Sequence, residues 1–226
     1  MTLRHPEYQY LDLLATIMDH GDPRMDRTGV GTKSLFGESM KFDISDRTIP
    51  ILTTKRIYWK TAIKELLWFL SGDTNIRSLL QANVKIWTDW PLATYRKATG
   101  ENVSQDEFEA RILGDDAFAS KWGEISVYGK YWRRWQGSDG RVHDQVADLI
   151  NQIKNTPASR RLLFHGWNVG ELSNMALPPC HLVYQYHVSS SGRLNSLMFQ
   201  RSADIYLGLG WNLLSSCALQ MMIAQQ

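Results

Sequence analysis

Cysteine is almost missing from this chain: Cys180 and Cys217 are the only two in 226 residues. Two cysteines cannot build a disulfide framework, so stability must come from a core, and the thiols read as reduced, as in a cytoplasmic protein. Metal-ligand spacing is missing too. The six histidines show no HxxxH and there is no CxxC, which argues against a metal site of the zinc type. No run reaches the roughly 18 apolar residues of a membrane span, and the opening "MTLRHPEYQY" has no signal-peptide core. With 25 Lys and Arg against 23 Asp and Glu the net charge is +2, too small to steer the chain to nucleic acid or to a membrane. There is no P-loop and no GxGxxG after a strand, which disfavours ATP and dinucleotide cofactors. Any anion site must therefore come from local arginines.

What is present is an ordinary globular balance, 43% hydrophobic and 21% charged, with nine tryptophans. Aromatics of that number suit either a large core or a flat ring-shaped ligand. The length predicts one domain of α+β type or a two-layer variant. Tyr10, Leu13, Leu14, Ile17 and Met18 predict a helix over 7–20, stopped by Gly21. Residues 22–32 read as turns and 33–44 as short-strand material. Over 59–72 the strongest helix places Trp59, Ile63, Leu66, Leu67 and Leu70 on one stripe and ends at Gly72. Residues 91–122 are weakly patterned and read as a loop-like or small helical insertion. A helix follows over 142–157, then strand-like runs between 161 and 201, the last two joined by a Ser/Gly-rich turn. The helix over 212–224 is apolar nearly all round, and the "QQ" that follows carries no cap and reads as a cut end.

Three places can carry chemistry. Glu65 sits on a helix that is apolar on most sides, without a cation three or four residues away. It either enters a pocket, where burial would raise its pKa and make it a proton shuttle, or it is solvated near Lys64; the helical wheel does not decide. "QRSAD" (200–204) ends a strand with Arg201 and Ser202, a pair able to grip phosphate, and with Asp204. Arg27, Arg160 and Arg161 add guanidiniums in turn-like settings, where solvated surface charge is the ordinary case. Cys180 follows two prolines in "MALPPCHLVYQYHV". A free thiol is only a few per cent thiolate at neutral pH unless cations lower its pKa, and a lone cysteine is most often buried and inert. His181 would point the opposite way along a strand, so an arginine from a neighbouring strand is the better partner.

Taken together, "DRTGVGT", "PILTTKR", "KELLWFLSGDTN", "IWTDW", "VYGKYWR", "SRR", "WN", "MALPPCH", "QRSADIYLGLGWN" and "MMIAQQ" resemble thymidylate synthase of the folate-dependent, cysteine-nucleophile kind, in family order from about residue 7 to the end. The resemblance implies a two-layer α+β domain over 1–226, with a mixed β-sheet packed by helices and the sheet face forming a homodimer interface. It implies methylation of dUMP to dTMP with 5,10-methylenetetrahydrofolate as carbon and hydride donor, without a metal and without nucleic acid. Cys180 would attack C6 of the uracil ring, Glu65 would relay protons through water, and Tyr128 would assist removal of the C5 proton. His181 would support ordered water. Arg27, Gln200, Arg201, Ser202, Asp204 and Asn212 would bind the nucleotide, with Arg160 and Arg161 reaching its phosphate from the partner subunit. Arg201 would also favour the thiolate, and Asp204 counts among the catalytic residues. Ile86, Trp87, Trp90, Asp204, Leu207 and Gly208 would line the folate site.

The chain departs from the family pattern at Tyr131 (usually Gln), at Ala203 (usually Cys), at Gly210-Trp211 (usually Pro-Phe) and at "EISV", where Leu-Gly-Pro is usual. The family's Asp-x-His-x-Tyr segment and closing tail, which come after a helix like the last one here, do not occur in the sequence. Two other functions stay open: a dUMP or dCMP 5-hydroxymethylase that uses water in place of hydride, and a non-catalytic nucleotide- or RNA-binding regulator. Asn212 favours uracil over cytosine, and Trp87 favours hydride transfer by crowding out water.

Overall fold

A computed structural model describes residues 4–25 and 29–226. Helix α1 (Tyr8–His20) forms on the apolar repeat and stops at Gly21, whose N–H still reaches the Ile17 carbonyl at 2.9 Å. The next stretch holds a short antiparallel ladder, β1 (Asp22–Arg24) with β2 (Thr32–Ser34). The strand expected over 33–44 is thus cut to its first residues, because no described strand pairs with the chain beyond Ser34. Further on, the Gln9 side-chain amide stands in for a strand: it accepts from Lys41 N and donates to Lys41 O, both at 2.8 Å.

Glu7, just ahead of α1, ties this region to the "PILTTKR" loop. Its carboxylate accepts four hydrogen bonds of 2.5 to 2.9 Å from the backbone N–H groups and hydroxyls of Thr53 and Thr54. Burial would raise its pKa, but those four donors outweigh burial and bring it down to about 2. A depressed carboxyl pKa adds stability that is complete above pH 4.5 and lost as pH falls towards 2. Glu7→Gln is therefore expected to lower unfolding stability by about 2 kcal/mol at pH 7. Urea titrations should show the gap closing below pH 4; a constant gap would mean the charge contributes nothing.

Helix α2 (Trp59–Ser71) ends at Gly72 with φ 72°, the left-handed position glycine fills without strain. Its buried face differs from the expected stripe. Ala62, Glu65, Leu66, Trp68 and Phe69 point inward, whereas Trp59 and Leu67 are 51% and 50% exposed. The helix is apolar on nearly every side, so packing chose the face. It chose the side that carries Glu65.

Helix α3 (Ile76–Gln81) is capped by the Asn75 side chain. Over 91–122 the chain is helical: α4 (Asp89–Thr99), α5 (Gln105–Gly114) and α6 (Asp116–Trp122). A Ser104–Glu107 capping box and the Asp115 cap start the last two. Tyr95, Phe108, Phe118 and Trp122 bind them together, with ring centroids 5.0 to 5.6 Å apart. The weak pattern hid this because the helices bury aromatics at isolated positions.

Helix α7 (Tyr128–Arg133) and a short pair, β3 (Trp135–Gln136) with β4 (Val142–His143), precede α8 (Gln145–Asn155). The helix expected from 142 starts later because Val142 and His143 are taken by β3, and Asp144 caps it. A three-stranded sheet follows, β5 (Leu163–His165), β6 (His181–Val188) and β7 (Leu194–Gln200), then α9 (Leu209–Ala224). A 3-10 segment, Val169–Asn174, lies between β5 and β6. Register pairs Phe164 with Tyr184 and Tyr184 with Met198. Every strand pair among the described residues is antiparallel; the mixed sheet is corrected to small antiparallel ones, in an α+β fold. Residues alternate across the sheet. Phe164, Tyr184 and Tyr186 face the core beneath the helices, while Leu163, Gln185, Leu197 and Phe199 face outward. No described helix is long and apolar enough to cross a membrane.

Candidate active site

Pro178 and Pro179 cannot extend a ladder, so β6 starts only at His181 and leaves Cys180 at its mouth. Cys180 is partly exposed and Cys217 is buried, and both thiols are free. The antiparallel register brings the end of β7 back beside it. Arg201 N–H donates to Cys180 O at 2.9 Å, and the guanidinium donates to Pro179 O and Pro178 O at 2.9 and 2.8 Å. These bonds set Arg201 Nη2 3.9 Å from Cys180 Sγ. The cysteine–arginine pairing expected from the sequence is present, and the carbonyls that orient it are new.

On the other side, Cys180 N–H donates to the Tyr128 hydroxyl at 2.9 Å. Burial raises the Tyr128 pKa, so the hydroxyl keeps its proton. The Tyr128 ring stacks on the His181 imidazole at 3.9 Å and 8°. Burial pushes His181 down to about 3, and its Nδ1 pairs with the Tyr184 hydroxyl at 3.1 Å. A neutral, bonded and stacked imidazole is not the base for Cys180.

Glu65 lies deeper and is only 8% exposed. Burial raises its pKa to about 7, against the opposing pull of two indole donors. Trp211 Nε1 donates to Oε2 and Trp87 Nε1 to Oε1, each at 2.7 Å. The pocket reading of Glu65 holds, and the solvated one is corrected.

These groups share one cavity of about 280 Å³, lined by Glu65, Ile86, Trp87, Trp90, Tyr128, Leu177, Cys180, His181, Leu207, Gly208, Trp211 and Asn212. Asn212 makes no side-chain hydrogen bond among the described residues, so its amide is free to pair with a ligand. The Trp87 and Trp90 rings lie 4.9 Å apart and, with exposed Ile86 and Leu207, form an apolar wall suited to a flat fused ring. Asp204 lies outside the lining and accepts from Leu207 N at 2.7 Å, which shapes the entry to α9. Among the described residues Gln200 Nε2 is buried without a partner, an uncommitted donor beside Arg201, and Ser202 is exposed. Arg160 and Arg161 are exposed and make no ion pair among the described residues. Arg27 lies outside the described residues. Among those described, no three His, Cys, Asp or Glu side chains gather as a metal site would require.

A thiol beside a guanidinium, a buried carboxyl and an indole-walled cavity fit attack on an electron-poor ring followed by proton transfer. The thymidylate synthase family model matches residues 8–226. The chain belongs to that family. Thymidylate synthases of Rhodopseudomonas palustris and Cereibacter sphaeroides are 61% and 64% identical to it over 225 residues, covering 99% of this chain and 76% of each relative. The thymidylate synthase of Zymomonas mobilis is 62% identical over 221 residues, covering 97% of this chain and 75% of its own length. The chain thus spans about three-quarters of these thymidylate synthases. Two lining residues escaped the sequence reading. Leu177 stands in "MALPPCH" without a role of its own there, whereas Trp211 was visible as a departure from the family's phenylalanine.

Proposed function

We propose that this chain is a methyltransferase that converts dUMP to dTMP, a thymidylate synthase reaction opened by Cys180. The observation that carries this reading is the placement of Cys180 Sγ beside Arg201 at the mouth of the cavity that holds Glu65. Attack of the thiolate on C6 sends the C5–C6 electron pair towards O4 and makes C5 nucleophilic. Arg201 sets positive charge beside the sulfur. Glu65 exchanges a proton with the ring through water, and Tyr128, held by the Cys180 N–H, assists loss of the C5 proton. C5 bonds the one-carbon unit before that proton leaves. Loss of the proton expels the folate amine and leaves a methylene on C5, and hydride arriving there restores the ring as Cys180 leaves C6.

Asn212 reads the pyrimidine edge, since an amide both donates and accepts. Arg27, Gln200, Arg201, Ser202 and Asp204 hold the rest of the nucleotide. The indole wall fits the pterin of 5,10-methylenetetrahydrofolate, with Ile86, Trp87, Trp90, Leu207 and Gly208 against it and Asp204 nearby. That co-substrate supplies the carbon and the hydride. A cytoplasmic setting and one catalytic domain over 1–226, with 91–122 as a helical insertion, accompany this reading. The hydroxymethylase alternative is not favoured, because the similar proteins are thymidylate synthases. Incubation with dUMP and methylenetetrahydrofolate should give dTMP with dihydrofolate; hydroxymethyl-dUMP with tetrahydrofolate would overturn the assignment.

The active unit is a homodimer built on the outer sheet face, where Leu197 and Phe199 are 57% and 52% exposed, an apolar patch that suits a self-complementary interface. Arg160 and Arg161 support this. Tyr186 N–H bonds Leu162 O at 2.7 Å, which sets Arg161 beside the far end of β6, roughly 20 Å from Cys180 of the same chain at about 3.3 Å per residue. A second subunit would have to bring them to the phosphate. A chain with both arginines changed to Ala and a chain with Cys180→Ser should each be inactive. Mixed by co-refolding, they should recover about a quarter of wild-type activity, since half the dimers are mixed and each has one intact site. No recovery would contradict donation across the interface.

A further inference from the structure

We propose that Trp211 is a positioning residue for Glu65: its indole N–H and that of Trp87 clamp the two carboxyl oxygens, so that the carboxyl cannot rotate without breaking a bond. This rests on the proton-relay role proposed for Glu65. Each oxygen has one donor at 2.7 Å, and the two donors come from different segments, the loop before α4 and the first turn of α9. Phenylalanine, the family's usual residue at this position, has no donor; tryptophan adds one while keeping a ring on the cavity wall. The neighbouring Gly210 is buried, and the Leu52 and Ile57 side chains occupy the space a Cβ there would need, at 2.7 and 2.9 Å. The first turn of α9 therefore sits close on the 52–57 loop, with Trp211 pointing across to α2. Two charge-assisted bonds favour the ionised carboxylate against its burial, so Glu65 passes protons near neutrality instead of staying protonated.

Other titratable groups lie around Glu65: Tyr128 from α7, His181 and Tyr184 from β6, and Cys180 before it. Lys64 on α2 is turned away and bonds to Ala82 O at 2.6 Å. Of these, the two tyrosines are shifted upward by burial and His181 downward to about 3. A Cys180→Ser background removes the remaining thiol that opens on the cavity.

Two measurements test the clamp without turnover. In that background, the carboxyl infrared band lost in Glu65→Gln reports Glu65 protonation. Trp211→Phe, which keeps the ring and deletes the donor, should move its midpoint upward by about one pH unit, a tenfold gain in proton affinity. Trp87→Phe should act in the same direction. In the unmodified protein, two of the nine indole N–H resonances should titrate together at the Glu65 midpoint. An unmoved midpoint, or only one titrating indole, would overturn the proposal. With activity intact, Trp211→Phe should shift the acid limb of kcat by the same amount while leaving KM for dUMP nearly unchanged. If Glu65→Gln proves fully active, the relay role fails while the infrared and indole titrations still decide the clamp.

Discussion

Cys180→Ser is expected to reduce kcat by at least ~10⁴-fold, the scale on which removal of a nucleophile acts in enzymes whose catalytic groups work as a unit, while dUMP affinity changes only a few-fold. Serine keeps the shape of the side chain and all of its backbone bonds, including Cys180 N–H to Tyr128 and Cys180 O from Arg201. What it loses is the anion. A thiol supplies some thiolate at neutral pH, whereas a hydroxyl without an adjacent base supplies almost no alkoxide, and His181, neutral and stacked on Tyr128, cannot act as that base. Binding survives because the residues proposed to hold the nucleotide are untouched. Cys217→Ser is the matched control: burial pushes that thiol up to about 11, it lies outside the cavity lining, and activity should stay near wild type. Equilibrium binding of dUMP alongside steady-state turnover checks both variants. Turnover by Cys180→Ser at more than a few per cent would remove the covalent step.

Glu65→Gln carries the second-largest effect, an expected fall in kcat of ~10²- to 10³-fold with little change in KM, the usual scale for loss of a general acid–base. Glutamine fills the same volume but cannot take or give a proton. It also sets an NH2 group against one of two indole donors, so one of the 2.7 Å bonds must break. The sign of the pH dependence follows from the raised pKa of about 7. Below it the wild-type carboxyl is protonated and cannot accept a proton; above it the carboxylate can. The wild-type kcat profile should therefore show a limb near pH 7 that Glu65→Gln lacks. A variant profile that keeps this limb would assign it to another group.

The parts of this site that could be read from the sequence are those where one residue type dictates both structure and chemistry. The two prolines fix where β6 can begin, so Cys180 at a strand mouth was legible, as was its pairing with an arginine from the neighbouring strand. The Ser/Gly turn at 189–193 and Gly72 at the end of α2 were equally plain, since both use glycine at positive φ. Orientation was not. Helix α2 offers apolar residues on every side, and only contacts with α7 and α9 show that Glu65 faces in. The helices within 91–122 bury Phe108 and Ile112 completely, but polar neighbours conceal the period. The link from Trp211 to Glu65 spans 146 positions of sequence, and no local pattern reports such a contact.

Mass spectrometry of the intact chain reads the bond from Cys180 to C6 without an intervening assay. A dUMP analogue with fluorine at C5 cannot lose that substituent as a proton is lost, so the adduct should persist once the one-carbon unit has joined C5. Incubation with the analogue and methylenetetrahydrofolate should add one nucleotide and one folate per modified chain, and digestion should map the added mass to the peptide containing Cys180. An unmodified mass under turnover conditions, or an adduct on Cys217 or any other residue, would contradict the account.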